Sequence, residues 1–93
     1  MVQARPILGL MHELGIAASV LDAVRTEVGM RAGYRATVVA LRVGALAGLD
    51  PESLRFGFEA MVKDSDLDPL RLVVSGAEGD ELDIAWIELE EAG

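Results

Sequence analysis

The run Thr37–Val43 constrains the fold most, because it is rich in β-branched residues and predicts a β-strand. Alternation places four side chains on one face of this strand: Thr37, Val39, Leu41 and Val43. Val38 and Ala40 lie on the other face, so both faces are largely apolar. This pattern is typical of a central strand packed on at least one side, and further strands are therefore expected beside it.

An amphipathic helix is predicted to precede this strand. Apolar residues recur at three- and four-residue spacing from Met11 onward: Leu14, Ala17 or Ala18, Leu21, Val24 and Val28. The segment from Gly29 to Gly33 ends the pattern, since glycine commonly follows the last helical residue. We expect a helix from Met11 to about Gly29.

A second helix is predicted after the strand. Asp50 can accept a hydrogen bond from a free amide of the first turn, and Pro51 suits the first helical position. Leu54, Phe58 and Met61 form its apolar stripe. We expect this helix to end near Lys63, where a polar turn follows.

Two shorter strands complete the expected fold. Leu70–Val74 and Glu81–Leu89 are separated by the loop Gly76–Asp80, a spacing that predicts a hairpin. The element order is helix, strand, helix, strand, strand. This order predicts an α+β fold with two helices packed on one face of a small three-stranded sheet.

Composition limits the class of protein. With 93 residues the chain forms one domain, which we place at residues 11–93, while residues 1–10 form an extension that need not be native. A net charge of −8 argues against binding nucleic acid. No segment approaches the roughly 20 apolar residues that span a bilayer, and no secretory signal is recognisable. We expect a cytoplasmic protein that does not enter membranes.

Met11 and His12 form the most suggestive pair of metal donors, since His12 is the one histidine of the chain. If the chain began at Met11, a metal could bind the free amine, the His12 amide nitrogen and the imidazole. Such nitrogen donors favour Ni(II) or Cu(II) over harder cations. Ten residues precede Met11, however, and with them the amine is an ordinary peptide nitrogen.

Three segments carry a family resemblance: Met11–Ala17, Leu41–Glu59 and Gly79–Glu90. In this order they resemble the HypA/HybF nickel metallochaperones, which assist maturation of [NiFe] hydrogenases. The resemblance implies that His12 binds Ni(II), with Met11 beside it. It also implies that the Glu13 backbone amide, and in one reading its side chain, belongs to the nickel site, and that Asp50 lies near the metal.

The residues alone favour plainer roles for the two carboxylates. Glu13 would sit favourably at the N-terminus of the first helix, and Asp50, followed by Pro51 and Glu52, has the pattern of a helix cap. Both interpretations stay open at this point.

The chain also departs from the family. The resemblance implies a zinc module with two Cys-x-x-Cys pairs after the second helix, yet the sequence contains no cysteine and passes from Lys63 to Leu70 through a short link. We therefore expect a nickel-binding domain without the zinc module and without bound zinc. Ala45 stands where the family usually has a glutamate.

The sequence leads to three hypotheses about function. The leading hypothesis is a nickel-delivery protein whose partners, by resemblance, are the nickel-insertion GTPase and the hydrogenase large subunit. The alternative is a metal-free interaction module, a scaffold in metalloenzyme maturation, which Ala45 and the residues before Met11 favour. An enzyme is not expected, because the chain has no cysteine, a single histidine and no Gly-rich phosphate loop.

Overall fold

The computed structural model describes residues 5–92, with side chains from residue 12 onward. Its five elements are α1 (Arg5–Gly29), β1 (Tyr34–Gly44), α2 (Pro51–Val62), β2 (Arg71–Ala77) and β3 (Leu82–Glu91). Their order is the predicted one, and the α+β class is confirmed. The side chain of Met11 and residues 1–4 of the predicted extension lie outside the described part.

Helix α1 begins earlier than the sequence pattern suggested. The predicted start at Met11 is wrong, because the helix already begins at Arg5. Pro6 lies in its first turn, where the missing N–H has no intrahelical partner to lose. Within residues 5–92, neither α1 nor α2 combines the length and apolarity that a membrane-spanning helix requires.

Strand β1 lies in the middle of the sheet. It pairs in parallel with β2 on one side and antiparallel with β3 on the other, giving the order β2-β1-β3. The predicted hairpin of β2 and β3 is therefore wrong. The physical reason is that β1 is apolar on both faces and so takes the central position, while α2 supplies the crossover that a parallel β1–β2 pair requires.

The connection from β2 to β3 crosses over the end of β1 at Gly44. The amide of Gly44 donates to the Glu81 carbonyl at 2.7 Å, and the amide of Leu46 donates to the Gly79 carbonyl at 2.7 Å. A Cβ atom at Gly44 would lie 2.3 Å from the Gly79 carbonyl oxygen. Position 44 therefore requires glycine, because the backbone of the β2–β3 connection passes too close to it for any side chain.

The core lies between the two helices and one face of the sheet, as predicted. Ala17 rather than Ala18 faces this core. Its buried apolar side chains come from both helices, from β1 and from the chain around β2, and include Ala17, Val20, Leu21, Val24, Ala36, Val39, Leu41, Val43, Leu54, Phe58, Val62, Leu70 and Leu72. Phe58, Leu41 and Leu54 are the largest fully buried ones.

A bulge changes the predicted faces at the start of β1. The pairing register with β3 shifts between Ala36 and Val38, so Ala36 takes the core position and Thr37 is displaced from it. The Thr37 hydroxyl instead donates to the Glu88 carbonyl at 3.3 Å. The core face predicted for β1 is therefore right for its later residues and wrong for Thr37.

Candidate metal site

Glu13 is a buried carboxylate that joins the two helices. Glu13 is 6% exposed, and its Oε2 atom accepts a hydrogen bond from the backbone amide of Asp50 at 2.5 Å. The partially positive N-terminus of a helix favours a carboxylate at this position. The plainer interpretation of Glu13 thus has the right chemistry, although the helix N-terminus that it serves belongs to α2 and not to α1.

Asp50 caps α2, as the sequence predicted. Its backbone is extended (φ −92°, ψ 114°), and its side chain accepts a hydrogen bond from the Glu52 amide at 3.2 Å. The hydroxyl of Ser53 donates to the second carboxylate oxygen at 2.8 Å. Both oxygens of Asp50 are therefore engaged in holding the first turn of the helix.

His12 is exposed on α1, one position before Glu13. Because α1 begins at Arg5, Met11 lies inside the helix, where a backbone amide donates to the carbonyl four residues earlier. In this form of the chain the nitrogen of Met11 is not a free amine, so the three-nitrogen chelate is not formed.

The structure brings together Glu13 and Asp50, through a side chain and a backbone amide. Among the described residues, no group of three or more His, Cys, Asp or Glu side chains is placed to hold a metal ion. The nickel ligands Met11, His12, Glu13 and Asp50 therefore remain a prediction.

Two positions that the sequence analysis did not single out shape this end of the molecule. Gly57 faces Leu14, and a Cβ atom there would approach the Leu14 Cδ2 atom to 2.8 Å, so α1 and α2 are in close contact. Phe56 is 77% exposed and lines a shallow apolar groove with Leu14 and Ala60 beside the cap of α2. In the sequence, the position of Phe56 outside the apolar stripe of α2 could have indicated that this aromatic side chain is exposed.

The fold and this site define a small α+β domain in which an exposed histidine precedes a buried glutamate, and this glutamate accepts a hydrogen bond from the start of the second helix. A family model described as "Hydrogenase/urease nickel incorporation, metallochaperone, hypA" matches residues 11–81. The chain belongs to the HypA family. The family description is that of a metallochaperone and not of an enzyme, in agreement with the sequence analysis.

Curated relatives agree with this assignment. The "Hydrogenase maturation factor HypA" of Pelodictyon phaeoclathratiforme is 42% identical over 55 residues, covering 59% of this chain and 47% of that protein. The protein of the same name from Chlorobium limicola is 42% identical over 77 residues, covering 83% and 58%. That of Chlorobium luteolum is 38% identical over 69 residues, covering 74% and 59%.

The chain thus spans about half the length of the curated relatives it matches. No solved structure matches it.

Proposed function

We propose that this chain carries nickel as cargo for the maturation of a [NiFe] hydrogenase in the cytoplasm. The observation that carries the proposal is the family match, which begins at Met11, directly before the exposed His12 and the buried Glu13. The nickel-insertion GTPase and the hydrogenase large subunit are the proposed partners. The family description refers to nickel incorporation, which favours delivery over a metal-free scaffold.

The proposed nickel site consists of Met11, His12, Glu13 and Asp50. In a chain that begins at Met11, the amine of Met11 and the amide and imidazole nitrogens of His12 supply an array that suits Ni(II). Glu13 contributes its backbone amide, and Asp50 lies near the metal from the side of α2. The bond between Glu13 and Asp50 holds this part of α1 against α2, which supports the proposed arrangement.

The residues before Met11 control the strength of this site. When they are present, the imidazole of His12 and nearby carboxylates are the donors, and we expect weak binding with little selectivity. When they are absent, the three nitrogen donors lie on adjacent residues. We also propose that the chain acts without zinc, because it has no cysteine to bind zinc as a thiolate.

Calorimetric titration with Ni(II) tests the site with four proteins: residues 1–93 and residues 11–93, each with His12 or with His12→Ala. The contacts described above for α1, from Glu13 to Val24, all lie within residues 11–93, so we expect the shortened chain to fold. We expect residues 11–93 to bind Ni(II) at least about tenfold more tightly than the longer chain. The change His12→Ala should remove this binding.

A matched control separates metal binding from general charge effects. Glu59 is an exposed carboxylate on α2 outside the proposed site, and Glu59→Ala should leave nickel binding unchanged. Equal nickel binding with and without His12, in both chain lengths, would show that the proposed site is wrong. Circular dichroism of each variant verifies that the fold is retained.

A further inference from the structure

Both helices pack on one face of the sheet, and the other face, which we call the open face, carries an exposed apolar row. Ala40 pairs with Val73 of β2 on one side and with Trp86 of β3 on the other. Val73 is 42% exposed and Trp86 is 50% exposed, and between them Ala40 is 1% exposed. The row is therefore an apolar strip across all three strands.

Charges on either side of this row are sorted by strand. In the adjacent row, Val38 pairs with Arg71 of β2 and with Glu88 of β3, and both charged side chains are exposed. In the row beyond the apolar one, the Arg42 guanidinium of β1 binds Asp83 of β3 through two contacts of 3.0 Å. Cations thus lie on β1 and β2, and carboxylates lie on β3.

The open face is close to electrical balance, although the whole chain is strongly acidic. Its strands present three arginines and three carboxylates: Arg35, Arg42, Arg71, Asp83, Glu88 and Glu90. One further carboxylate, Glu81 directly before β3, lies 4.0 Å from the Arg42 guanidinium. The net charge of the chain is −8, so most of the excess of negative charge lies elsewhere on the molecule. The positive charges of this surface lie toward β2 and the negative charges lie on β3. Such a surface is complementary to one that carries negative charges opposite β2 and positive charges opposite β3.

We propose that the partner on the open face is a second copy of this chain, related by a two-fold axis parallel to β1. Such a rotation stacks β2 of one copy over β3 of the other. Val73 then faces Trp86 of the second copy, and Arg71 faces Glu88 of the second copy. Each contact occurs twice, as in any isologous two-fold interface.

The sorted charges select this axis. A two-fold axis in the same plane but perpendicular to β1, passing through the apolar row, would stack β3 over β3 and reverse the order of the rows. Glu88 of one copy would then face Asp83 of the other. Like charges opposed at an interface are unfavourable. In the favoured arrangement the two sheets form the inner layers, both helices lie outside, and the surface around His12 stays accessible.

The area of the open face limits the affinity. Three strands about 4.8 Å apart and roughly seven residues long cover only about 300–400 Å² as a flat surface, compared with about 800 Å² per partner in a standard interface. We therefore expect a reversible dimer that forms at high protein concentration and dissociates on dilution.

Sedimentation velocity of the full chain provides the test. We expect the mass to approach twice 9.9 kDa at about 300 µM and to return to that of the monomer at about 10 µM. Arg71→Glu alone and Glu88→Arg alone should each raise the dissociation constant at least about tenfold. The double variant Arg71→Glu, Glu88→Arg exchanges the two charges and should restore association.

The control is Glu59→Arg, which makes the same change of charge as Glu88→Arg on the helical side of the molecule. It should leave the dissociation constant within about twofold of the original value. The proposal is overturned if the unmodified chain is monomeric at about 300 µM, or if it associates and the single variants at Arg71 and Glu88 do so equally well. Circular dichroism confirms that each variant is folded.

Discussion

The carboxylate of Glu13 accepts a hydrogen bond from the backbone amide of Asp50, a residue 37 positions later in the chain. Asp50 in turn caps α2 with its own side chain. The N-terminus of α2 is therefore fixed twice, once by its own capping residue and once by a side chain from α1. This arrangement connects the turn of α1 that carries His12 with the start of α2.

Replacement of Glu13 tests this connection. Glu13→Ala leaves the partly buried amide of Asp50 without its acceptor, and we expect the free energy of unfolding to fall by about 1–3 kcal/mol. Glu13→Gln keeps a carbonyl acceptor of the same length and should cost less. Urea denaturation measures both, with Glu59→Ala on the exposed side of α2 as the control. Equal stability of the Ala and Gln variants would contradict the role of the hydrogen bond.

Replacement of Asp50 separates capping from metal binding. Asp50→Ala should lower the free energy of unfolding by about 1 kcal/mol, because the Glu52 amide loses its acceptor. Asp50→Asn should retain most of the stability, since asparagine is an equally good cap. If the carboxylate contacts nickel, the Asn variant of residues 11–93 will bind Ni(II) more weakly while remaining stable. Unchanged nickel affinity would restrict Asp50 to its capping role.

Gly44 and Gly15 form a contrasting pair. Gly44→Ala places a Cβ atom 2.3 Å from a backbone oxygen of the crossing loop, and we expect a loss of several kcal/mol or a failure to fold. Gly15→Ala meets no atom within 4 Å and lies within α1, so it should stabilise the protein by up to about 1 kcal/mol. Thermal unfolding of the two variants measures the difference. Similar melting temperatures would contradict the crossover at Gly44.

Two exposed ion pairs make stability depend on acid pH. The hydrogen bond from Arg42 lowers the pKa of Asp83, and that from Arg25 lowers the pKa of Asp66, in each case from an ordinary value of 3.8. A lowered folded-state pKa gives stability that is present above the unfolded-state value and is lost as the pH falls through the folded-state value. The pairs therefore contribute at neutral pH and are lost below about pH 4.

Asp83→Asn and Asp66→Asn should each make the loss of stability below about pH 4 shallower. Because both pairs are exposed, the effect should be small and should diminish with added salt. Urea denaturation between about pH 2 and pH 6, at protein concentrations low enough to prevent association, measures it. If both variants lose stability below about pH 4 as steeply as the unmodified chain, the two ion pairs do not contribute to the free energy of unfolding.

The limits of the second helix could be predicted from its own residues. Asp50 and Pro51 mark its start, and Lys63 marks its end, as the structure has them. Leu54 and Phe58 are buried as predicted, whereas Met61 is only partly buried and Val62 is buried next to it. Each of these signals acts within one or two turns of the chain. Local chemistry was enough for this element because a cap and an apolar stripe do not depend on distant residues.

Non-local contacts account for what the sequence did not reveal. The hydrogen bond from Asp50 to Glu13 joins residues whose proximity depends on the packing of α1 on α2. The short loop before β3 predicted a hairpin of β2 and β3. In the structure β1 is apolar on both faces and takes the central position, so β2 and β3 pair with its two opposite edges. The glycine at the end of β1 was the one local sign of a chain crossing there.

The central position of β1 also has a consequence for folding kinetics. Val38 pairs with Arg71, and Tyr34 pairs with Glu91, so both neighbours of β1 come from much later in the chain. Long segments must lose conformational freedom before either pairing contributes stabilisation, and such topologies fold more slowly than helical bundles of the same size. We expect the helices to form rapidly and the sheet to assemble in the rate-limiting step.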